Sequence, residues 1–170
     1  MILPILTVDS QKNIEFLRRK CAPITAFDES LEALVRDMTE TMLVVENGGP
    51  RGVGLAAPQI GKDINLFVMM TPAGIENRTF ETVAMINPVL TIGNKETYPD
   101  MEGCLSIPGL FGRVERHREI LVTYQDTKEQ TYQLALSGFP ARVFQHEFDH
   151  LFGKLYTDIA TEMYHKKAKL

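Results

Sequence analysis

Phe144 to Gly153 read FQHEFDHLFG, which sets His146 and His150 four residues apart with Glu147 between them. Two imidazoles at that spacing can hold one metal ion. A metal that does chemistry usually takes three protein ligands and keeps one position open. At about 100° per residue, His150 lies ~40° round a helix from His146, so the two rings converge on one point. Glu147 stands ~100° from His146, beside that point, where a base acting on metal-bound water belongs. Val143, Phe144, Phe148, Leu151 and Phe152 make the rest of the segment apolar nearly all round, which predicts a buried helix. Burying His146, Glu147, Asp149 and His150 there costs desolvation energy unless something binds or pairs them, and a metal does so. The competing reading is a chance HExxH on a solvated surface helix, which the apolar surroundings disfavour.

The third ligand is not downstream. A metzincin pattern would need His at position 156, which is Tyr156, and the only later glutamate, Glu162, follows too soon for a glutamate-type zincin. Upstream, His117 sits among charges in VERHREI and reads as a surface residue. Cys21, in RRKCAP, has basic neighbours able to lower its pKa but no companion ligand nearby. Cys104 lies in DMEGCLSIPG, read as a loop, where the adjacent glycine lets backbone approach a metal and a thiolate suits Zn(II) or Fe(II). On the residues alone, an inert buried thiol explains Cys104 equally well.

GVGLAAPQIG, from Gly52, fits a dinucleotide fingerprint in letters only, because a helix and a turn precede it instead of a strand. Pro58 also disfavours helical geometry at Ala57. The remaining reading is a close-packed loop or edge segment whose small residues admit a substrate backbone, with the Gln59 amide available to an oxyanion.

Positioning these residues requires a fold. Asp28 or Ser30 caps a helix whose stripe is Leu31, Leu34, Val35, Met38, Met42 and Val45, ended by NGGP; its methionines read as core filler. Residues 64–70, 82–90, 119–125 and 131–136 read as strands, the last two as a hairpin around DTKEQ. Pro140 opens the histidine helix and Gly153 stops it. Helix, strands and helix predict an α+β class, with antiparallel or mixed β-sheets packed around a buried central helix carrying HExxH and an N-terminal amphipathic helix. With no repeat or linker, residues 1–170 are expected to form a single domain.

Bulk properties narrow the function. Net charge is -4, so no general attraction to nucleic acid or anionic membrane is expected. No stretch approaches the ~18 apolar residues of a membrane span. The N-terminus lacks a signal-peptide pattern, which predicts a reducing, cytoplasmic setting with both cysteines free.

Three segments together, GVGLAAPQ at 52–59, EGCLS at 102–106 and HEFDH at 146–150, resemble the motifs of the peptide deformylases. The resemblance covers roughly residues 50 to 158 and is weaker over the first 25. It implies Cys104, His146 and His150 as metal ligands, for Fe(II), with Zn(II), Ni(II) or Co(II) able to substitute. It implies that metal-bound water, deprotonated with help from Glu147, attacks the formyl carbon of an N-formylmethionyl peptide. Gln59 and the backbone N–H of Leu105 would stabilise the oxyanion, and Glu147 would pass its proton to the departing amine. Val53, Gly54 and Val143 would line the methionine pocket, and peptide backbone would pair along Val53 to Leu55 and beside Gly103. Glu102, Gln145 and Asp149 are candidates to orient the ligands, although plain ion pairs explain them as well. A monomer is expected, in the cytoplasm of a bacterium, in an organelle, or in a host cell for a phage-encoded member. The tail ATEMYHKKAKL is either a shortened basic element for docking on the ribosome or a frayed end, the latter preferred. Competing functions are a zinc endoprotease, disfavoured by the lack of a downstream ligand, and a structural metal domain, which would need neither Glu147 nor Gln59.

Overall fold

A computed structural model of the chain describes residues 1–44, 52–72 and 80–165. In chain order the elements are α1 (Gln11–Leu17), α2 (Glu29–Leu43), β1 (Gly54–Ala56), β2 (Leu66–Pro72), β3 (Phe80–Thr91), β4 (Thr97–Cys104), β5 (Ile107–His117), β6 (Glu119–Gln125), β7 (Thr131–Ser137), α3 (Phe139–Leu151) and β8 (Glu162–His165). The strands form two antiparallel sheets, ordered β1-β2-β3-β6-β7 and β4-β5-β8. The α+β class with antiparallel sheets is as expected.

Strand β2 shows how the larger sheet is sandwiched. Leu66, Phe67, Val68 and Met69 are all fully buried. Period-2 alternation sends Phe67 and Met69 toward the cluster around Val143, Phe144 and Leu151 of α3, and Leu66 and Val68 toward Leu31, Met38 and Met42 of α2. A strand covered on both faces needs no polar alternation, which is why this run reads as continuously apolar. The β6–β7 hairpin closes around Asp126, whose carboxylate accepts from the N–H groups of Lys128 and Gln130.

Helix α2 starts at Asp28, whose carboxylate accepts from the N–H groups of Ser30 and Leu31 at 3.0 and 3.1 Å; Ser30 lies inside the helix. The helix ends at Leu43, and Val45 with the NGGP stretch falls outside the described residues. Helix α3 has Pro140 in its first turn, where the missing N–H costs nothing. It is followed by Gly153 at φ +68°, where a Cβ would come within 2.1 Å of the Arg18 carbonyl oxygen.

Three departures from the sequence reading bear on the site. Cys104 is the last residue of strand β4, not part of a loop. Strands β4 and β5 escaped notice because Pro99, Gly103, Pro108, Gly109 and Gly112 interrupt any period, and β4 tolerates Pro99 because it is an edge strand. Ala57 opens a short 3-10 turn, Ala57–Ile60, despite the following proline. A proline in a first turn loses no hydrogen bond, and Gln59 caps the turn by accepting from the Ala56 N–H at 2.8 Å. The start of the tail is not frayed: Glu162–His165 pairs with Leu110 to Arg113 as the third strand of the small sheet. Residues 166–170 lie outside the described part.

Candidate active site

Helix α3 lies against β1, β2, β5 and β7 and presents His146, Glu147 and His150, which are 8%, 4% and 1% exposed. Strand β4 brings Cys104 to the same point. The candidate ligand atoms of Cys104, His146 and His150 all lie within 4.8 Å of one another, and Cys104 Sγ is 3.3 Å from His150 Nε2. Metal–sulfur and metal–nitrogen bonds of roughly 2.3 and 2.1 Å in a tetrahedron imply an S···N edge of roughly 3.6 Å, close to that separation. His146 Nδ1 is 2.9 Å from Glu102 Oε2, which leaves its Nε2 for the metal. These residues therefore fit a soft or borderline divalent cation.

The other two ligand candidates are elsewhere. Cys21 is packed in the core of the larger sheet, and burial, reinforced by Asp63, pushes its thiol up to about 12 despite the basic neighbours in sequence. His117 is fastened to α3 through its backbone: its N–H donates to Gln145 Oε1 at 3.0 Å, and Gln145 Nε2 donates to its carbonyl at 2.9 Å. Gln145 thus ties α3 to β5 and does not touch a ligand ring.

Glu102, on β4 two residues before Cys104, is the anionic centre behind the site. It accepts from Arg116 Nε and Nη2 at 2.9 and 3.0 Å and from Arg142 Nη1 at 2.8 Å, besides its contact with His146. Arg116 also donates to Asp149 Oδ2 at 2.5 Å. Glu102 and Asp149 therefore take part in ion pairs, and Glu102 holds the His146 ring as well. Both arginines are buried, and neither stood out in the sequence; the one available signal was Arg142 on the same helical face as His146, one turn before it. Burial works against the Glu102 charge, but hydrogen bonds from His146 and Arg116 prevail and lower its pKa from 4.5 to about 2. A folded-state value below the unfolded one stabilises the fold above pH 4.5, and that contribution disappears as pH falls toward 2. The shift corresponds to about 3 kcal/mol. Across that window Glu102 should account for about 3 kcal/mol of the stability that the metal-free protein loses in urea unfolding, and Glu102→Gln should remove this part of the pH dependence.

Glu147 is in the opposite situation. Burial raises its carboxyl pKa from 4.5 to about 7, with the His146 charge working against the rise, and its Oε2 has no hydrogen-bond partner among the described residues. A carboxylate with that value is poised to exchange protons near neutrality. Its neighbour on β1 is Gly54, where a Cβ would stand 2.4 Å from Glu147 Oε1 and 2.7 Å from both Cδ and Cγ. Only glycine leaves the carboxylate its place. Gly54→Ala should therefore fold and retain metal while kcat/KM falls about 100-fold, the usual cost of a displacement of about 1 Å at a reacting group; paired metal analysis and kinetics would check it.

Gln59 is 1% exposed, and its orientation is fixed because Oε1 accepts from the Ala56 N–H. Nε2 therefore faces the site, donating to Cys104 Sγ at 3.4 Å and Ser106 Oγ at 3.2 Å. Ser106, fully buried, was visible in the EGCLS segment but not singled out from it. Leu105 follows Cys104 in the turn before β5, which places its N–H next to Cys104. A cleft of about 360 Å³ opens over these groups, and Val53, Gly54, Gly103, Leu105 and Val143 are among the residues lining it. Leu55 is not: alternation along β1 turns it away from α3 into the cluster beneath α2, where it is fully buried. The Val53 carbonyl accepts from Met70 N–H at 2.9 Å, so the ladder alternation leaves the Gly54 backbone groups facing out from the sheet edge. The unpaired edges of β1 and β4 thus flank the cleft.

A family model described as Polypeptide deformylase matches residues 2–166. A curated relative, the peptide deformylase of Thermotoga petrophila, is 44% identical over 142 residues, 84% of this chain and 79% of that protein. The crystal structure of peptide deformylase from Thermotoga maritima superposes with a TM-score of 0.82 at 39% identity, covering 95% of this chain and 99% of that one. A Met-Ala-Ser-bound peptide deformylase from Acinetobacter baumannii gives 0.78 at 31% identity, with 93% and 99% covered.

Proposed function

The chain belongs to the peptide deformylase family, hydrolases that remove the formyl group from N-formylmethionyl polypeptides, and from that premise we propose how its own residues do so. A divalent metal held by Cys104, His146 and His150 would supply Lewis acidity and make a water acidic at neutral pH. Glu147 takes the proton of the attacking water and gives it to the departing α-amine, an exchange suited to a carboxyl whose pKa is about 7. Gln59 Nε2 and the Leu105 N–H donate to the oxyanion that develops from the formyl oxygen. Glu102 holds His146 in the tautomer that offers Nε2.

The observation that carries this reading is the convergence of the three candidate ligand atoms at a cleft also lined by Glu147 and the fixed Gln59 donor. A formyl carbon bears no side group, so it suits a centre crowded by Gly54 and Leu105. The first methionine side chain occupies the apolar cleft beside Val53 and Val143, a reading supported by the Met-Ala-Ser bound to the Acinetobacter relative. Peptide backbone adds as a strand between Gly54 and Gly103, on the free edges of β1 and β4. Fe(II) is the proposed resident metal, with Zn(II), Ni(II) or Co(II) able to substitute, because a thiolate with two imidazoles accommodates all of them. The same proposal includes one catalytic domain over residues 1–170, a monomer, and action in the compartment where formylated chains are made, the cytoplasm or its organellar equivalent. It extends to docking on the ribosome through the basic stretch HKKAKL. The deciding test is formate release from a short N-formylmethionyl peptide, set against cleavage of an internal bond in its unformylated counterpart. Internal cleavage without formate release would replace this reading with an endoprotease.

A further inference from the structure

We infer that Arg142 is a positioning residue for the metal site: from the ligand helix, it fixes the strand that carries Cys104 at the distance the metal requires. The inference rests on the proposed metal reading of Cys104, His146 and His150.

The need for such a tie follows from the architecture. His146 and His150 ride on α3, which is packed against the larger sheet, whereas Cys104 is at the end of β4, in the small sheet. The two sheets share no strand, and β4 is not among the strands α3 packs closely against. Helix α3 meets the small sheet along β5, where Gln145 holds the His117 backbone, so the reach from the imidazoles to Cys104 depends further on the side chains that extend from α3 to β4.

Arg142 spans it from the right place. It lies four residues before His146, hence ~40° away on the same helical face. Its Nη1 donates to Glu102 Oε1 and to the Val114 carbonyl, each at 2.8 Å, and its Nη2 donates to the Tyr98 carbonyl at 2.7 Å. Glu102 and Tyr98 belong to β4 and Val114 to β5, so one guanidinium fastens α3 to two strands of the small sheet. The group is 2% exposed and lies 4.6 Å from the Tyr98 ring centroid, an arrangement that suits the planar fork of an arginine and not the point charge of a lysine. Its acceptor Glu102 touches His146 through the other oxygen and stands two residues from Cys104. Arg142 thus acts on both halves of the ligand set through one carboxylate. Arg116 supports the same carboxylate from β5, but its guanidinium donates to Glu102 and Asp149 and not to a β4 carbonyl in the described hydrogen bonds.

The test uses metal-free protein titrated with Co(II), read by the thiolate-to-cobalt absorption band and by the dissociation constant. Arg142→Met and Arg142→Lys should each weaken Co(II) binding 10- to 100-fold, the range typical of supporting residues around metal ligands, and should alter the band at saturation. Asn87→Ala is the control for mere loss of stability: Asn87 holds the Ile24 backbone at 2.8 Å on the far side of the larger sheet from α3. It should lower Tm while leaving the constant and the band unchanged. Wild-type binding and band in Arg142→Met would overturn the inference, as would an equal loss of affinity in Asn87→Ala. If Arg142→Met fails to fold, Arg142→Lys decides: a wild-type constant there means that charge alone suffices and the fork has no positioning role. Failure of the underlying metal reading is distinguishable, because wild-type protein would then show no thiolate band at all.

Discussion

Glu147→Gln should retain stoichiometric metal and a normal fold while kcat falls by about 10²- to 10⁴-fold, the range attributed to general acid–base catalysis. The replacement keeps the shape that packs over Gly54, where contacts are as short as 2.4 Å to a notional Cβ, so the substrate cleft should survive. It also leaves the donors of the metal site untouched, since Cys104, His146 and His150 carry no hydrogen bond to the Glu147 side chain. Only the proton carrier is lost. The stability change should have the opposite sign to the rate change. A buried carboxyl whose pKa is raised from 4.5 to about 7 resists ionisation, so its unfavourable contribution grows as pH rises through that window. A neutral amide does not ionise, and Glu147→Gln should gain stability relative to the parent above pH 7. Metal analysis, single-turnover kinetics and unfolding at two pH values would check all three parts. Unimpaired formate release would remove Glu147 as the base.

That combination of loss and gain bears on what could be read from the chain. Glu147, His146 and His150 were legible because their spacing and helical geometry are local, and the apolar residues around them announced burial. The strands read as 119–125 and 131–136 were legible for the same reason, since a hairpin is specified by neighbours in sequence. Strands β4 and β5 were not, because Gly103 and Gly112 are dictated by tertiary crowding. A Cβ at Gly103 would meet Phe111 at 2.9 Å, and one at Gly112 would meet Ala160 and Tyr156 at 2.8 and 2.9 Å. Such close approaches look like turn chemistry in a sequence and become strand packing only in three dimensions. Arg116 and Arg142 were hidden for a related reason: an arginine reads as surface until its buried carboxylate is known, and Glu102 lies 14 and 40 residues away from them. Leu55 entered the reading through its backbone alone, as the end of the pairing stretch from Val53, and a strand of three residues is too short for the direction of its side chain to show in sequence.

Cys104→Ser should lose metal and activity together. A hydroxyl is neither ionised at neutral pH nor soft, so the site would keep two imidazoles and a weak donor where a thiolate had been. Changing a residue that merely supports a ligand commonly costs 10- to 100-fold in affinity, and removal of a ligand should exceed about 100-fold. The second consequence separates this variant from Glu147→Gln. Gln59 Nε2 donates to Cys104 Sγ and to Ser106 Oγ, so a smaller Oγ at position 104 leaves the amide held by Ser106 and by the Ala56 N–H. The oxyanion donor should stay in place, and the fold should be close to that of the metal-free parent, because Cys104 is only partly buried. Excess Zn(II) or Ni(II) should restore part of the metal content without restoring parental kcat/KM. Metal stoichiometry after gel filtration, together with activity across a metal titration, reads both effects. Full retention of metal and turnover in Cys104→Ser would show that the third ligand is another residue.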